Sequence, residues 1–388
     1  MTNSSLRYAL DGLCVAALCL AAGCGGTDPA KEFAAGASAF ALKDYKTAAG
    51  HYAKGLEFAP DDVDALVMYT RILLATGEMD KAAETLAKAA ATNGDDTDVV
   101  ELSAQLAFYR KDYPAAYKTY SRLANDDKLP PETRAIGWAG MGVVDYFLVG
   151  AAQDSQPYLR DRARTELLRA SQLDRRNASA RYHLGRLYRD SFGFVEAAKE
   201  QFDFFVHLEL EADARVQKVQ REVIPALKDE IARKAASRPG ADRRDAVACA
   251  AALSKGDALL RKGDFKGARA AYADACAKDP LSYPAAIGLA RSLEKSAKTA
   301  ADRKETFKAY CQACELSPSA VATFITAGDL AMKLGSFASA AKLYSRAMAA
   351  SPTNTTVVDG LIRALSKSGD GKTAAVYQRY RDTIPKRK

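Results

Sequence analysis

From Lys31 onward, apolar residues recur three and four apart in one short stretch after another, the spacing of amphipathic helices. The segment 255–280 shows the unit best. Gly256 sits inside one such helix, Gly263 breaks it, and Phe265 packs the turn. Ala268 and Tyr272 then lie four apart on a second helix, and Pro280 ends the unit. The chain thus predicts helical hairpins, with strand patterns essentially absent.

The alanine–aromatic signal of the second helix recurs at Ala48/Tyr52, Ala82/Leu86, Ala116/Tyr120, Ala163/Leu167, Ala198/Phe202, Ala268/Tyr272, Thr306/Tyr310, Ala340/Tyr344 and Ala374/Gln378. Successive spacings are 34, 34, 47, 35, 70, 38, 34 and 34. This resembles the tetratricopeptide repeat, a hairpin of 34 residues. The resemblance covers about 320 of the 388 residues. It implies an all-α protein, an α-solenoid of about nine recognisable hairpins with one of them degenerate. Small residues are expected where helices cross (Gly36, Gly185, Gly256, Gly328), with aromatics filling the space between hairpins (Tyr52, Tyr120, Phe202, Tyr272, Tyr344).

Three stretches depart from the period. Residues 150–158 lengthen the fourth unit's turn. The gap of 70 spans two periods, so residues 209–236 hold either a degenerate hairpin or one connecting helix. Val216, Val219, Val223, Leu227 and Ile231 share its apolar face, and Pro225 is read as the start of a second helix rather than a kink. Residues 237–242 read as a hinge. In the last unit Gln378 and Arg381 stand where other units are apolar, as in a solvent-facing cap.

The first residues change the picture. An apolar run from Gly12 to Gly23 is too short to span a bilayer and fits a signal-peptide core. Leu20-Ala21-Ala22-Gly23-Cys24 resembles the lipobox of bacterial lipoproteins. That family implies cleavage before Cys24, a diacylglycerol on its sulfur, and, with Gly25 next, an outer-membrane location facing the periplasm. The expected organisation is a signal peptide (1–23), a lipid-anchored tether (24–30), an N-terminal array (31–206), a charged helical connector or degenerate repeat (207–244) and a C-terminal array with its cap (245–385).

Composition is that of a folded protein, with 48% hydrophobic and 27% charged residues and a net charge of +8. Three His exclude sites built from several histidines, and no phosphate loop, zinc-protease or serine-hydrolase motif is present. Acidic pairs such as Asp61-Asp62, Asp95-Asp96 and Asp126-Asp127 fall at unit junctions, as helix N-terminal acids do. Cys311 and Cys314 form the one motif to weigh. They lie in a second helix, with Cys276 in the matching place one unit earlier. Packing is the first reading; a disulfide among Cys276, Cys311 and Cys314 is the second; redox or zinc chemistry is the last. No cofactor, metal, nucleic acid or small-molecule substrate is expected.

In the family the first helices line a concave groove that holds a peptide or helix of a partner. Phe33, Phe40, Leu74, Phe108, Tyr109, Tyr146, Phe147, Tyr182, Arg186 and Arg189 fall at inward places of the N-terminal array. The C-terminal array is more polar there, with Asp257, Arg291, Glu294, Asp329, Lys333, Arg363 and Lys367. The Lys/Asn clamp of chaperone-binding members is absent, since its places hold Phe33, Ala37, Val67, Arg71, Glu101 and Gln105. Residues 158–190 carry nine Arg against four acids, suited to solvation, anionic lipid or an acidic partner. The expected function is a non-catalytic protein-interaction scaffold anchored in the bacterial envelope. It would help assemble an outer-membrane, pilus, secretion or exopolysaccharide export complex. The alternatives are a soluble cytoplasmic interaction protein and an envelope redox protein using Cys311 and Cys314.

Overall fold

The computed structural model describes residues 28–151, 157–209, 213–238, 242 and 244–385. Cys24, the signal segment and most of the tether lie outside them. The described residues are helical, with no strand among them, and divide into two compact units. One falls within 1–155 and 166–183, the other within 156–165 and 184–388.

The first unit runs through hairpins α1/α2 (Pro29–Ala41, Tyr45–Phe58), α3/α4 (Val63–Thr76, Met79–Asn93) and α5/α6 (Thr97–Tyr109, Tyr113–Asn125), then α7 (Pro131–Ala151). Helices α8 (Pro157–Leu173) and α9 (Ala178–Leu187) contribute to both units. The second unit continues with α10 (Val195–Leu208), α11 (Ala214–Lys218) and α12 (Ile224–Ala236). Four hairpins close it: α13/α14 (Ala246–Arg261, Phe265–Lys278), α15/α16 (Tyr283–Ser296, Ala300–Leu316), α17/α18 (Val321–Lys333, Phe337–Ala350) and α19/α20 (Thr355–Lys367, Gly371–Asp382).

Local chemistry fixes many of the helix starts. The junction acids are caps: Asp62 accepts from the Ala65 N–H at 2.9 Å and Asp96 from Val99 at 3.2 Å. Asp44, Asp112, Asp264 and Asp370 do the same for the second helices. The turn inside each of these hairpins except α15/α16 holds one left-handed residue. Glycine supplies it at Gly77, Gly263, Gly335 and Gly369, while Lys43 and Lys111 adopt φ of 61° and 63° in the same place.

Between hairpins, the expected aromatic contacts are present. A Cβ on Gly256 would lie 2.8 Å from the Tyr272 ring, and one on Gly328 would lie 2.7 Å from Tyr344. A glycine of the next first helix closes on the same rings from the other side, Gly288 at 2.4 Å and Gly360 at 2.5 Å. Tyr272 and Tyr344 are buried, a stabilisation of about 1.5–3 kcal/mol each.

The connector departs from expectation. Pro225 does not begin a second helix. A π-helical turn over Val219–Val223 joins α11 to α12 without a break, and the composite helix packs on α10. The wide turn before Pro225 accommodates a ring that would collide with an ordinary helical carbonyl. Its extra residue shifts the register, so Ile224 rather than Val223 joins Val216, Val219 and Leu227 in the buried face.

In the second unit Arg164 is fully buried. It lies 4.4 Å from the Phe192 ring and donates to Ser345 Oγ at 2.9 Å and to the Tyr377 hydroxyl. Tyr377 in turn donates to Asp161, so α8 is bonded to α18 and α20. One arginine of the 158–190 stretch is therefore structural.

Two stability outcomes follow from the turns and wedges. Lys111→Gly relieves left-handed strain and raises unfolding free energy by about 0.5–1 kcal/mol in urea denaturation. Gly288→Val overpacks the Tyr272 ring and lowers it by about 1–3 kcal/mol.

Candidate protein-binding surface

Pairs of adjacent aromatics stand on successive first helices of the first unit: Phe108-Tyr109 on α5, Tyr146-Phe147 on α7 and Tyr182-His183 on α9. Helical geometry gives each pair one ring toward its neighbour. Phe108 meets Phe147 edge-on at 5.1 Å, Phe147 meets Tyr146 at 5.6 Å, Tyr146 meets His183 at 6.0 Å, and His183 meets Tyr182 at 5.2 Å. Tyr109 joins through Phe108 at 6.0 Å. The result is a continuous row across three helices. Part of it is open to solvent, since Tyr109 is 52% and Phe147 37% exposed.

Five of the expected groove residues, Phe108, Tyr109, Tyr146, Phe147 and Tyr182, are thus brought together. His183 was not anticipated, although its place beside Tyr182 repeats the adjacent-aromatic pattern. The other three apolar candidates do not join the row. Phe33 stacks on Tyr52 at 5.7 Å, Phe40 packs on Tyr45 at 5.7 Å, and Leu74 is buried in the core with Leu66, Leu73 and Leu86. The first hairpin has no preceding hairpin among the described residues, so its own apolar residues close its packing. In the second unit Arg189 donates to Asp190 at 2.6 Å and Arg186 lies 4.0 Å from the same carboxylate. Both carry local pairing rather than bare charge.

Each unit also carries a polar cluster on its first helices. In the first unit Arg71 bonds Asp98 at 2.6 Å and lies 3.6 Å from Glu101, which accepts from Gln105 at 2.7 Å. Glu101 is buried, and burial holds its carboxyl above the ordinary range even with Arg71 nearby. In the second unit Tyr hydroxyls donate to first-helix carboxylates: Tyr272 to Asp257 at 2.6 Å, Tyr310 to Glu294 at 2.6 Å and Tyr344 to Asp329 at 2.5 Å. Burial, reinforced by Asp257, pushes the Tyr272 hydroxyl up to about 12.

The cysteines are packing residues. Cys249, Cys276, Cys311 and Cys314 are free thiols, so the disulfide reading is not what the structure shows. Burial pushes Cys276 up to about 11 and Cys314 up to about 12, and raises Cys311 as well. Such thiols hold little thiolate at neutral pH, the reverse of what a redox CxxC requires. Among the described residues no group of three or more His, Cys, Asp or Glu is placed to hold a metal ion, and no helix is long and apolar enough to cross a membrane.

Because Glu101 binds its proton more tightly when folded, its contribution to stability is present below the ordinary glutamate range and is lost as pH rises through the raised value. Glu101→Gln flattens that part of the stability-versus-pH curve, measured by denaturation from pH 4 upward, roughly the window in which a buried carboxyl titrates.

Comparison with known proteins adds the family. Residues 39–106 and 253–319 each match a family model described as tetratricopeptide repeat. No curated protein matches the chain. Solved structures similar to it include the APC/C hetero-tetramer Cut9-Hcn1, at 14% identity over 98% of this chain and 82% of that one, with a TM-score of 0.39. Pseudomonas aeruginosa pilF is similar at 19% identity over 55% and 92%, TM-score 0.39, and the P58(IPK) TPR domain at 14% over 88% and 99%, TM-score 0.25. The two matched segments, the recurring 34-residue spacing and the capped helical hairpins identify the chain as a tetratricopeptide-repeat protein.

Proposed function

We propose that the protein is a non-catalytic scaffold that binds partner proteins, tethered by a lipid on Cys24 to the outer membrane of a bacterial envelope and facing the periplasm. There it would position components of an assembly or export complex. The observation that carries the binding half is the aromatic row from Phe108 to Tyr182. Aromatic side chains that remain half-exposed and touch one another across three helices offer area and hydrogen-bonding edges at low entropic cost, the chemistry of an interface anchor. The raised thiols of Cys276, Cys311 and Cys314 count against the redox alternative.

The anchoring half rests on the sequence Leu20–Cys24 and on the lack of any cysteine between residues 25 and 248, which suits a compartment where stray thiols are a liability. The test is crosslinking in intact cells followed by affinity capture, with wild type, Cys24→Ser and Phe108→Ala/Phe147→Ala compared. Radiolabelled palmitate is expected to enter wild type and not Cys24→Ser. Envelope proteins are expected to crosslink to wild type and to fall about tenfold with the double alanine variant, the loss of two interface anchors. Equal capture by the alanine variant removes the aromatic row from the interface. Cytosolic partners indifferent to Cys24 remove the envelope reading.

A further inference from the structure

The first helices of the second unit carry a second surface, different in chemistry from the aromatic row. Their last turns place a cation at the same register position four times: Arg261 on α13, Lys295 on α15, Lys333 on α17 and Lys367 on α19. The intervals are 34, 38 and 34 residues, the longer one absorbed chiefly by the 17-residue α16, against 14 residues in α14. One turn earlier stand Asp257, Arg291, Asp329 and Arg363. All six cations are exposed.

Cations at helix ends have an ordinary use in complementing the helix dipole. That use does not explain this row. The first helices α1, α3, α5 and α7 of the other unit have the same dipoles and carry no basic residue in their last turns. Nor does the dipole explain Arg291 and Arg363, which stand a full turn before the lysines. They form the like-charged pairs Arg291/Lys295 and Arg363/Lys367 at i,i+4, an arrangement that destabilises a helix.

The acids of this face are already engaged. Asp257, Glu294 and Asp329 accept from Tyr272, Tyr310 and Tyr344, and Asp359 accepts from Arg381 at 2.8 Å. Among the described residues no carboxylate lies within ion-pair distance of any of the six cations, in contrast to Arg244, Arg269, Arg346 and Arg381 elsewhere in the unit. Net positive charge is therefore left on one face of four successive helices.

We infer that this row binds an extended acidic segment of a partner protein, with carboxylate side chains recurring at about every third residue. Helix α13 packs on α15 and α17 on α19. Packed helices stand about 8–10 Å apart and an extended chain advances about 3.3 Å per residue, so three residues carry a side chain across each of these pairs. A lysine at three of the four steps suits a carboxylate held as a point charge. Asp257 and Asp329 interrupt the positive row. A polyanion with closely spaced phosphates would meet them, whereas a peptide with neutral residues between its acids would not. The inference rests on the scaffold reading but concerns other residues, so the two fail separately.

The test uses the full chain and a fluorescein-labelled peptide of about twelve residues with glutamate at every third position. A glutamine version of the peptide and vesicles of phosphatidylglycerol in phosphatidylcholine run beside it. The protein variants are Lys295→Gln/Lys333→Gln/Lys367→Gln and Phe108→Ala/Phe147→Ala, each checked for unchanged helicity and melting. Anisotropy is expected to show binding of the glutamate peptide that weakens about tenfold or more in the lysine variant. It is expected to weaken as salt rises from about 50 to about 300 mM and to be unaffected in the aromatic variant. Absence of binding, equal binding of the glutamine peptide, or equal binding by the lysine variant overturns the inference. Binding to anionic vesicles without binding to the peptide also overturns it and gives the row to a membrane surface. Loss of binding in the aromatic variant alone would place the acidic segment on the other face.

Discussion

The fold depends on an aromatic ring closed in by residues that have no side chain. In four hairpins the second helix offers Tyr or Phe to a glycine of its own first helix: Tyr52 to Gly36, Phe202 to Gly185, Tyr272 to Gly256 and Tyr344 to Gly328. At Tyr272 and Tyr344 a glycine of the next first helix closes the other side. The contact works because nothing stands between ring and backbone. Any Cβ there would overlap the ring, so helix spacing is set by aromatic thickness rather than by interlocking branched side chains. One ring joins two hairpins, and repetition of that joint makes the array.

The same rings organise the electrostatics. Once Tyr272, Tyr310 and Tyr344 are held this way, their hydroxyls reach the carboxylates of the first helices. Those acids become acceptors inside the protein instead of partners for nearby lysines and arginines. A packing device thus decides which charges of the face remain open. In the first unit α5, α7 and α9 carry adjacent aromatics instead, and the rings gather into a row. One backbone plan therefore presents two chemistries, an aromatic surface in one unit and a cationic one in the other.

The arginine-rich stretch illustrates how composition misleads about surface. Arg164 is enclosed by Phe192, Tyr377 and Ser345, and its charge is met by Asp161. Removing one partner from such a set leaves a buried charge uncompensated, which is why its members behave as one structural group. Arg186 and Arg189 share Asp190. What counts toward a partner is the cation with no acid beside it, and that is a property of neighbours.

The period, the hairpins, the capping acids and the glycine–aromatic pairs were legible in the sequence, because each depends on residues fixed distances apart along one chain. The turn glycines were legible for the same reason, but Lys43 and Lys111 in left-handed conformation were not, since their strain is imposed by the helices on either side. Position on the repeat frame singled out Phe108, Tyr109, Tyr146, Phe147 and Tyr182 as groove candidates, and the structure brings these five together. Phe33, Phe40 and Leu74 stand on the same frame but find apolar partners within their own hairpins. The continuous helix through Pro225 required a π-turn that shifts its register by one residue, a choice made by packing on α10. Periodicity determines which way a side chain points; only tertiary structure decides what already occupies that direction, because burial and pairing depend on residues far away in sequence.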